Sequence, residues 1–137
     1  MLKGIAILVA LLMPLLANAQ LVVVTGLDSP LNSLNRSEVK QLFSGQARNM
    51  AGHRVQPVDL PAGDASREQF YLYVMGRTPE QMRAYWTRLI FTGQGQPPKE
   101  ASSALELEIL LDSSPEYIGY VREEALTNKM RVVYRVP

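Results

Sequence analysis

Val55-Gln-Pro-Val-Asp-Leu-Pro-Ala-Gly-Asp-Ala-Ser-Arg-Glu-Gln-Phe70 passes from a short strand through a Pro/Gly turn of small residues into a helix. The strand is read over Val55–Leu60. Pro57 places it at a sheet edge or an irregularity, because proline cannot donate to a ladder. The helix is expected from about Ala65 to Met75, with Gly76 to stop it. A strand feeding a helix through a tight turn is the building unit of an α/β sheet. The same geometry aims free backbone N–H groups and the positive end of a helix dipole at one spot, where an anion could sit.

The flanking sequence extends this alternation. Leu21-Val-Val-Val-Thr25 has the β-branched content of a strand buried on both faces. Asn35 with Glu38 forms a capping-box pattern, Val39, Leu42 and Phe43 carry a helical apolar face, and Gly45 ends it. Gln46 to Arg54 reads as a polar loop. Thr78-Pro79-Glu80-Gln81 starts a further helix, in which Met82, Tyr85, Trp86, Leu89 and Ile90 form an amphipathic stripe. Core packing is the reading preferred for that stripe over an aromatic ligand platform.

Phe91 to Pro98 reads as an exposed loop. Ser103 with Glu106 caps another helix, whose Ala104, Leu107 and Leu111 supply a buried face. Tyr117–Val121 is a short strand in which Gly119 allows close backbone approach, and Met130–Val136 alternates as a last strand. The expected fold is α/β, a small mixed sheet with helices on both faces.

Met1-Leu-Lys3, the apolar run Ile5–Leu16 and Ala17-Asn18-Ala19 make a secretory signal peptide, residues 1–19, with cleavage after Ala19. An uncleaved N-terminal anchor is the alternative. The run is shorter than the roughly 20 apolar residues of a spanning helix, and nothing later is long enough to span. Residues 20–137, about 118 residues, suit one compact domain. The expected location is the periplasm of a Gram-negative bacterium. The chain has no cysteine, which removes disulfides, thiolate metal sites, catalytic thiols and lipid attachment together. Loss of Lys3 from fourteen Lys and Arg leaves thirteen bases against thirteen acids. A scattered, near-neutral charge argues against nucleic acid and against a membrane surface.

Catalytic and metal chemistry find little material. The one histidine, His53, lies in a Gly-His-Arg loop without ligand spacing around it. There is no G-x-S-x-G elbow, Glu106 and Glu108 point to different helix faces, and Gly93-Gln-Gly95 is too short for a nucleotide fingerprint. No enzyme, metal or cofactor is expected. The turn beside Phe70 remains: Gly63 lets backbone approach a ligand, Ser66 offers a hydroxyl, Arg67 a bidentate charge, with Asp64 and Ala65 between them. On the other reading Asp64 or Ser66 simply caps the helix and Arg67 is a solvated side chain. An ionised Asp64 would itself occupy the dipole and repel an anion.

Leu34-Asn-Arg-Ser-Glu-Val-Lys-Gln-Leu-Phe-Ser-Gly45, Tyr85-Trp86 leading into Leu89-Ile-Phe-Thr-Gly-Gln-Gly-Gln-Pro-Pro98, and Ser114-Pro-Glu-Tyr-Ile-Gly-Tyr-Val121 occur in that order. In combination they resemble the small single-domain relatives of bacterial phosphate ABC transporter substrate-binding proteins, over about Leu21–Val121. The resemblance implies one lobe of a type II periplasmic-binding-protein topology and a role near phosphate binding, uptake or sensing. An ABC permease, a sensor or an envelope protein would then be the partner. The family's anion motif, an Arg shortly before Ser-Gly-Thr, falls over Asp59–Ser66. Asp59 or Leu60 stands where the Arg would be, Asp64-Ala65-Ser66 replaces the small residues, and only Ser66 carries over. The alternative function is a non-catalytic periplasmic interaction module that kept the fold and lost the ligand.

Overall fold

The computed structural model describes residues 20–137. The signal-peptide reading of residues 1–19 lies outside the described residues. Five strands form one mixed sheet, in the order β5-β4-β6-β1-β7. Interior to it, between β6 and β7, is β1 (Leu21–Gly26), every residue of which is buried, as its β-branched run predicts. β1 pairs antiparallel with β6 (Tyr117–Arg122) and with β7 (Met130–Arg135), the second ladder slipping register between Val23 and Val24. β4 (Gln56–Asp59) runs parallel to both β6 and the two-residue β5 (Lys99–Glu100).

Strand alternation shows which helix covers which face. Gly119, opposite Val24, faces α4 (Ala104–Ser113): a Cβ there would lie 2.5 Å from Leu107 Cδ1. Gly26, on the same side of β1, leaves only 2.2 Å between such a Cβ and the Leu111 carbonyl oxygen. These two glycines let α4 lie directly on the sheet. Tyr120, the neighbour of Gly119, points to the other face, where its ring stacks on Phe70 at 4.1 Å and lies 5.9 Å from Phe43. Those two rings come from α2 (Ala65–Phe70) and α1 (Arg36–Phe43). Helices therefore cover both faces, as expected.

Local signals explain the helix ends. Both halves of the capping box form at Asn35/Glu38 and again at Thr78/Gln81, where α3 (Pro79–Phe91) begins with proline at its first position. At α4 only half forms: Ser103 Oγ accepts from the Glu106 N–H, while the Glu106 carboxylate accepts from Ser102 Oγ instead. The helix expected from Ala65 to Met75 is continuous but changes winding. After Phe70 it becomes a π-helical turn, Tyr71–Met75, ended by Gly76 in the left-handed region at φ 67°.

Three expectations need correction. Gln46–Arg54 is not simply a loop. It contains a hairpin of β2 (Asn49–Met50) and β3 (His53–Arg54), turned by Ala51 and Gly52, both at positive φ. β4 is interior by strand order rather than an edge. Pro57 is accommodated because β5 pairs only from Val58 onward, so at Pro57 the ladder bonds run to β6 alone. Finally, the α3 stripe is only partly core: Met82 and Trp86 are buried, Tyr85 and Leu89 are half-buried, and Ile90 is exposed.

Candidate functional site

β4 and β6 end side by side, and α2 starts just beyond them. That is the crevice at the carboxyl ends of strands where open α/β sheets place ligands. The five residues singled out from sequence run from the turn after β4 into the first turn of α2, at this end of the sheet. Gly63 is exposed, with φ 84° and open space where a Cβ would stand, so its conformation rather than crowding calls for glycine. Asp64 is the N-cap of α2, its carboxylate accepting from the Ser66 N–H at 2.8 Å. The capping reading is thus realised, and one helix-terminal donor is already occupied. Ala65 is exposed and Ser66 is buried.

Arg67 is not a free cation. It donates to the Leu60 carbonyl at 2.9 Å and to Glu100 at 3.1 Å, and its guanidinium lies 5.3 Å from the centre of the Tyr71 ring. Beneath it sits Asp59, only 4 % exposed. Both carboxylate oxygens accept tyrosine hydroxyls, Tyr120 at 2.7 Å and Tyr71 at 2.8 Å. Tyr120 in turn accepts from the Leu60 N–H at 3.2 Å. This network satisfies the buried polar groups locally.

The electrostatics follow from burial. Desolvation pushes the Asp59 carboxyl above its usual range, against the lowering pull of Tyr120, Tyr71 and Arg67. Burial also raises both tyrosine hydroxyls, reinforced by the Asp59 charge. For Arg67 burial acts downward, but Asp59, Tyr71, Glu100 and Tyr120 together outweigh it and the guanidinium is held above its ordinary value.

Sequence reading missed three participants. Arg122, at the end of β6, donates from Nε to Ser66 Oγ at 3.1 Å. It is exposed and, among the described residues, has no carboxylate within ion-pairing distance. Tyr71 and Tyr120, which hold Asp59, entered the sequence reading only as part of a helix and of a strand, with no role for their hydroxyls. No local pattern announces either pairing, because the partners lie far apart in the chain. The β4–β6 pairing, with Pro57 beside Ile118, offers the missing signal: it sets Asp59 level with Tyr120.

Among the described residues there is no group of three or more His, Asp or Glu able to hold a metal ion. Nor is any described helix long and apolar enough to cross a membrane.

No family model matches the sequence, and no curated protein matches it. Solved structures do match. An ABC-type phosphate transport receptor from Vibrio cholerae superposes with a TM-score of 0.66 at 14% identity, over 83% of this chain and 45% of that one. A putative phosphate ABC transporter substrate-binding protein with bound phosphate, from Clostridium perfringens, gives 0.67 at 15% identity, over 83% and 44%. PstS from Borrelia burgdorferi gives 0.62 at 11% identity, over 83% and 46%. The chain shares its fold with a part of each of these proteins, about one lobe. This chain spans a little under half the length of each.

Proposed function

We propose that the chain is an exported, non-catalytic solute-binding-like protein, with phosphate or a related oxyanion as its ligand at the Gly63–Arg67 rim. The observation that carries the reading is the Ser66–Arg122 pair at the carboxyl ends of parallel strands, on a fold shared with phosphate receptors. Arg122 supplies a cation that the Asp59–Ser66 segment lacks. The Ser66 hydroxyl, accepting from Arg122, keeps its own proton to donate. Gly63 leaves the backbone accessible, Ala65 adds no bulk, and Asp64 would favour an oxyanion that itself carries a proton. One lobe encloses an anion on one side only, so a second copy or another protein would complete the cleft, and an ABC permease is the natural recipient. Residues 1–19 would direct export to the periplasm.

Thermal melting with and without millimolar phosphate tests this. A ligand at a hundred times its dissociation constant adds about 2.7 kcal/mol of stability, several degrees for a domain of this size. The absence of any shift with phosphate or sulfate removes the binding reading. Ser66→Ala should weaken binding by roughly 1–2 kcal/mol, the scale of a hydrogen bond to a charged group.

A second reading is favoured by a specific observation: Asp64 already takes the Ser66 N–H and Arg67 is spent on Leu60 and Glu100. On that reading the chain is a periplasmic interaction module that lost its ligand, serving a sensor or envelope complex. A pull-down from periplasmic extract that returns only background counts against it.

A further inference from the structure

A second concave site lies away from the Asp59 crevice, against the indole of Trp86. It is an open cleft of about 520 Å³, within the range of small-molecule pockets. Its walls come from the end of α1, the β2–β3 hairpin, the start of β4, the α3 helix and the loop entering β5. The hairpin missed in the sequence builds its basic side. Asn49 pairs with Arg54 and the Arg48 carbonyl accepts the Val55 N–H at 2.9 Å, which holds Arg48 and Arg54 close across the hairpin, and both line the cleft. Lys99 arrives from the other side, fixed by the pairing of β5 with β4.

These three cations line the cleft together, and no carboxylate lines it. Among the described residues none of the three has an ion-pair partner. The adjoining acids are engaged elsewhere: Glu116 accepts from Gln56 Nε2 at 2.6 Å, and Glu100 pairs with Arg67. The floor is different in character, formed by Trp86, Leu42, Val55 and Pro97. Trp86 is 7 % exposed, and its indole nitrogen is the only buried side-chain N or O atom without a partner among the described residues. Gly45 and Gly95 leave the indole edge accessible, since a Cβ at Gly45 would come within 3.3 Å of Trp86 Cη2.

We propose that this cleft is a binding site for a small organic anion, its charged head met by Arg48, Arg54 and Lys99 and its apolar body lying on Trp86. The Lys99 ammonium also lies 5.9 Å from the centre of the Tyr117 ring, but no carboxylate neutralises the rim. A basic rim without counter-charge over an aromatic floor selects such a molecule over a bare ion or a cation. The site is independent of the Ser66–Arg122 pair.

Trp86 is the only tryptophan, so its emission reads the cleft directly. The test titrates the full chain with phenyl phosphate at low salt, following Trp86 emission and heat. Inorganic phosphate supplies a head without a body, and benzylamine a body of opposite charge. Phenyl phosphate should shift the emission and bind at least roughly tenfold tighter there than either control. The double variant Arg48→Gln/Arg54→Gln should lose about tenfold in affinity, and Lys99→Gln part of that, with melting in the absence of ligand unchanged. Ser66→Ala should leave the titration as it is, whereas it weakens inorganic phosphate at the other site. The proposal is overturned by an emission and a heat that stay flat to millimolar phenyl phosphate. Equal response to benzylamine or inorganic phosphate, or full affinity in the double variant, overturns it as well. Binding that disappears in Ser66→Ala would assign the ligand to the Asp59 crevice instead.

Discussion

The crevice over Asp59 and the cleft over Trp86 treat their polar groups in opposite ways. In the first, Asp59, Tyr71, Tyr120 and Arg67 satisfy one another. A ligand entering there must compete with bonds already made. In the second, three exposed cations have no carboxylate partners, and the indole turns its Cη2/Cζ3 edge to Gly45 and Gly95. The difference shows that the strand-end position where open α/β sheets place ligands and the most available chemistry of a surface need not coincide. A satisfied network stabilises the fold, while unsatisfied groups are what a ligand can reward.

The sharpest way to break the comparison is to delete the network's centre. Asp59→Ala leaves two buried tyrosine hydroxyls without their acceptor and should cost about 2–4 kcal/mol in urea unfolding. A loss below about 1 kcal/mol would mean that the hydroxyls find other partners. Trp86→Phe should cost less, about 1 kcal/mol, because deleting an unpartnered buried donor offsets part of the lost packing. Equal losses at the two positions would erase the distinction between them.

A subtler effect is pH dependence. The folded-state pKa of Asp59 lies above the unfolded value of about 3.9, so the folded protein holds that proton more tightly than the unfolded chain. Stability linked to this proton is fully present below the unfolded pKa and is lost as pH rises through the folded one. Wild type should therefore gain on Asp59→Asn as pH is lowered from neutral, with a constant gap above the folded value. Urea midpoints of the two proteins across that range measure it. A gap moving the other way would show the carboxylate to be stabilised in its charged form.

Much of the scaffold was legible because its causes are local. The Asn35/Glu38 and Thr78/Gln81 caps need only residues three apart, and Leu21–Thr25 declares its burial by composition. Gly119 was legible as a point of close approach, though not as the seat of Leu107. The β2–β3 hairpin escaped notice because its strands are two residues long and Ala51, rather than Asn or Gly, takes the first positive-φ position. At the candidate site, Gly63–Arg67 was found as a turn. What decides its chemistry was not, since Arg122 reaches Ser66 and Tyr120 reaches Asp59 only after the sheet has formed.

The interior position of β1 also sets the order in which this chain can mature. Its Leu21–Gly26 run precedes every other described element, yet its two neighbours occupy residues 117–122 and 130–135. Until those strands arrive, an apolar segment with two unpaired edges must wait, a topology that folds slowly and exposes a site for sticking to other chains. A chain growing from its N-terminus would thus remain without its sheet until nearly all of the described sequence had been made.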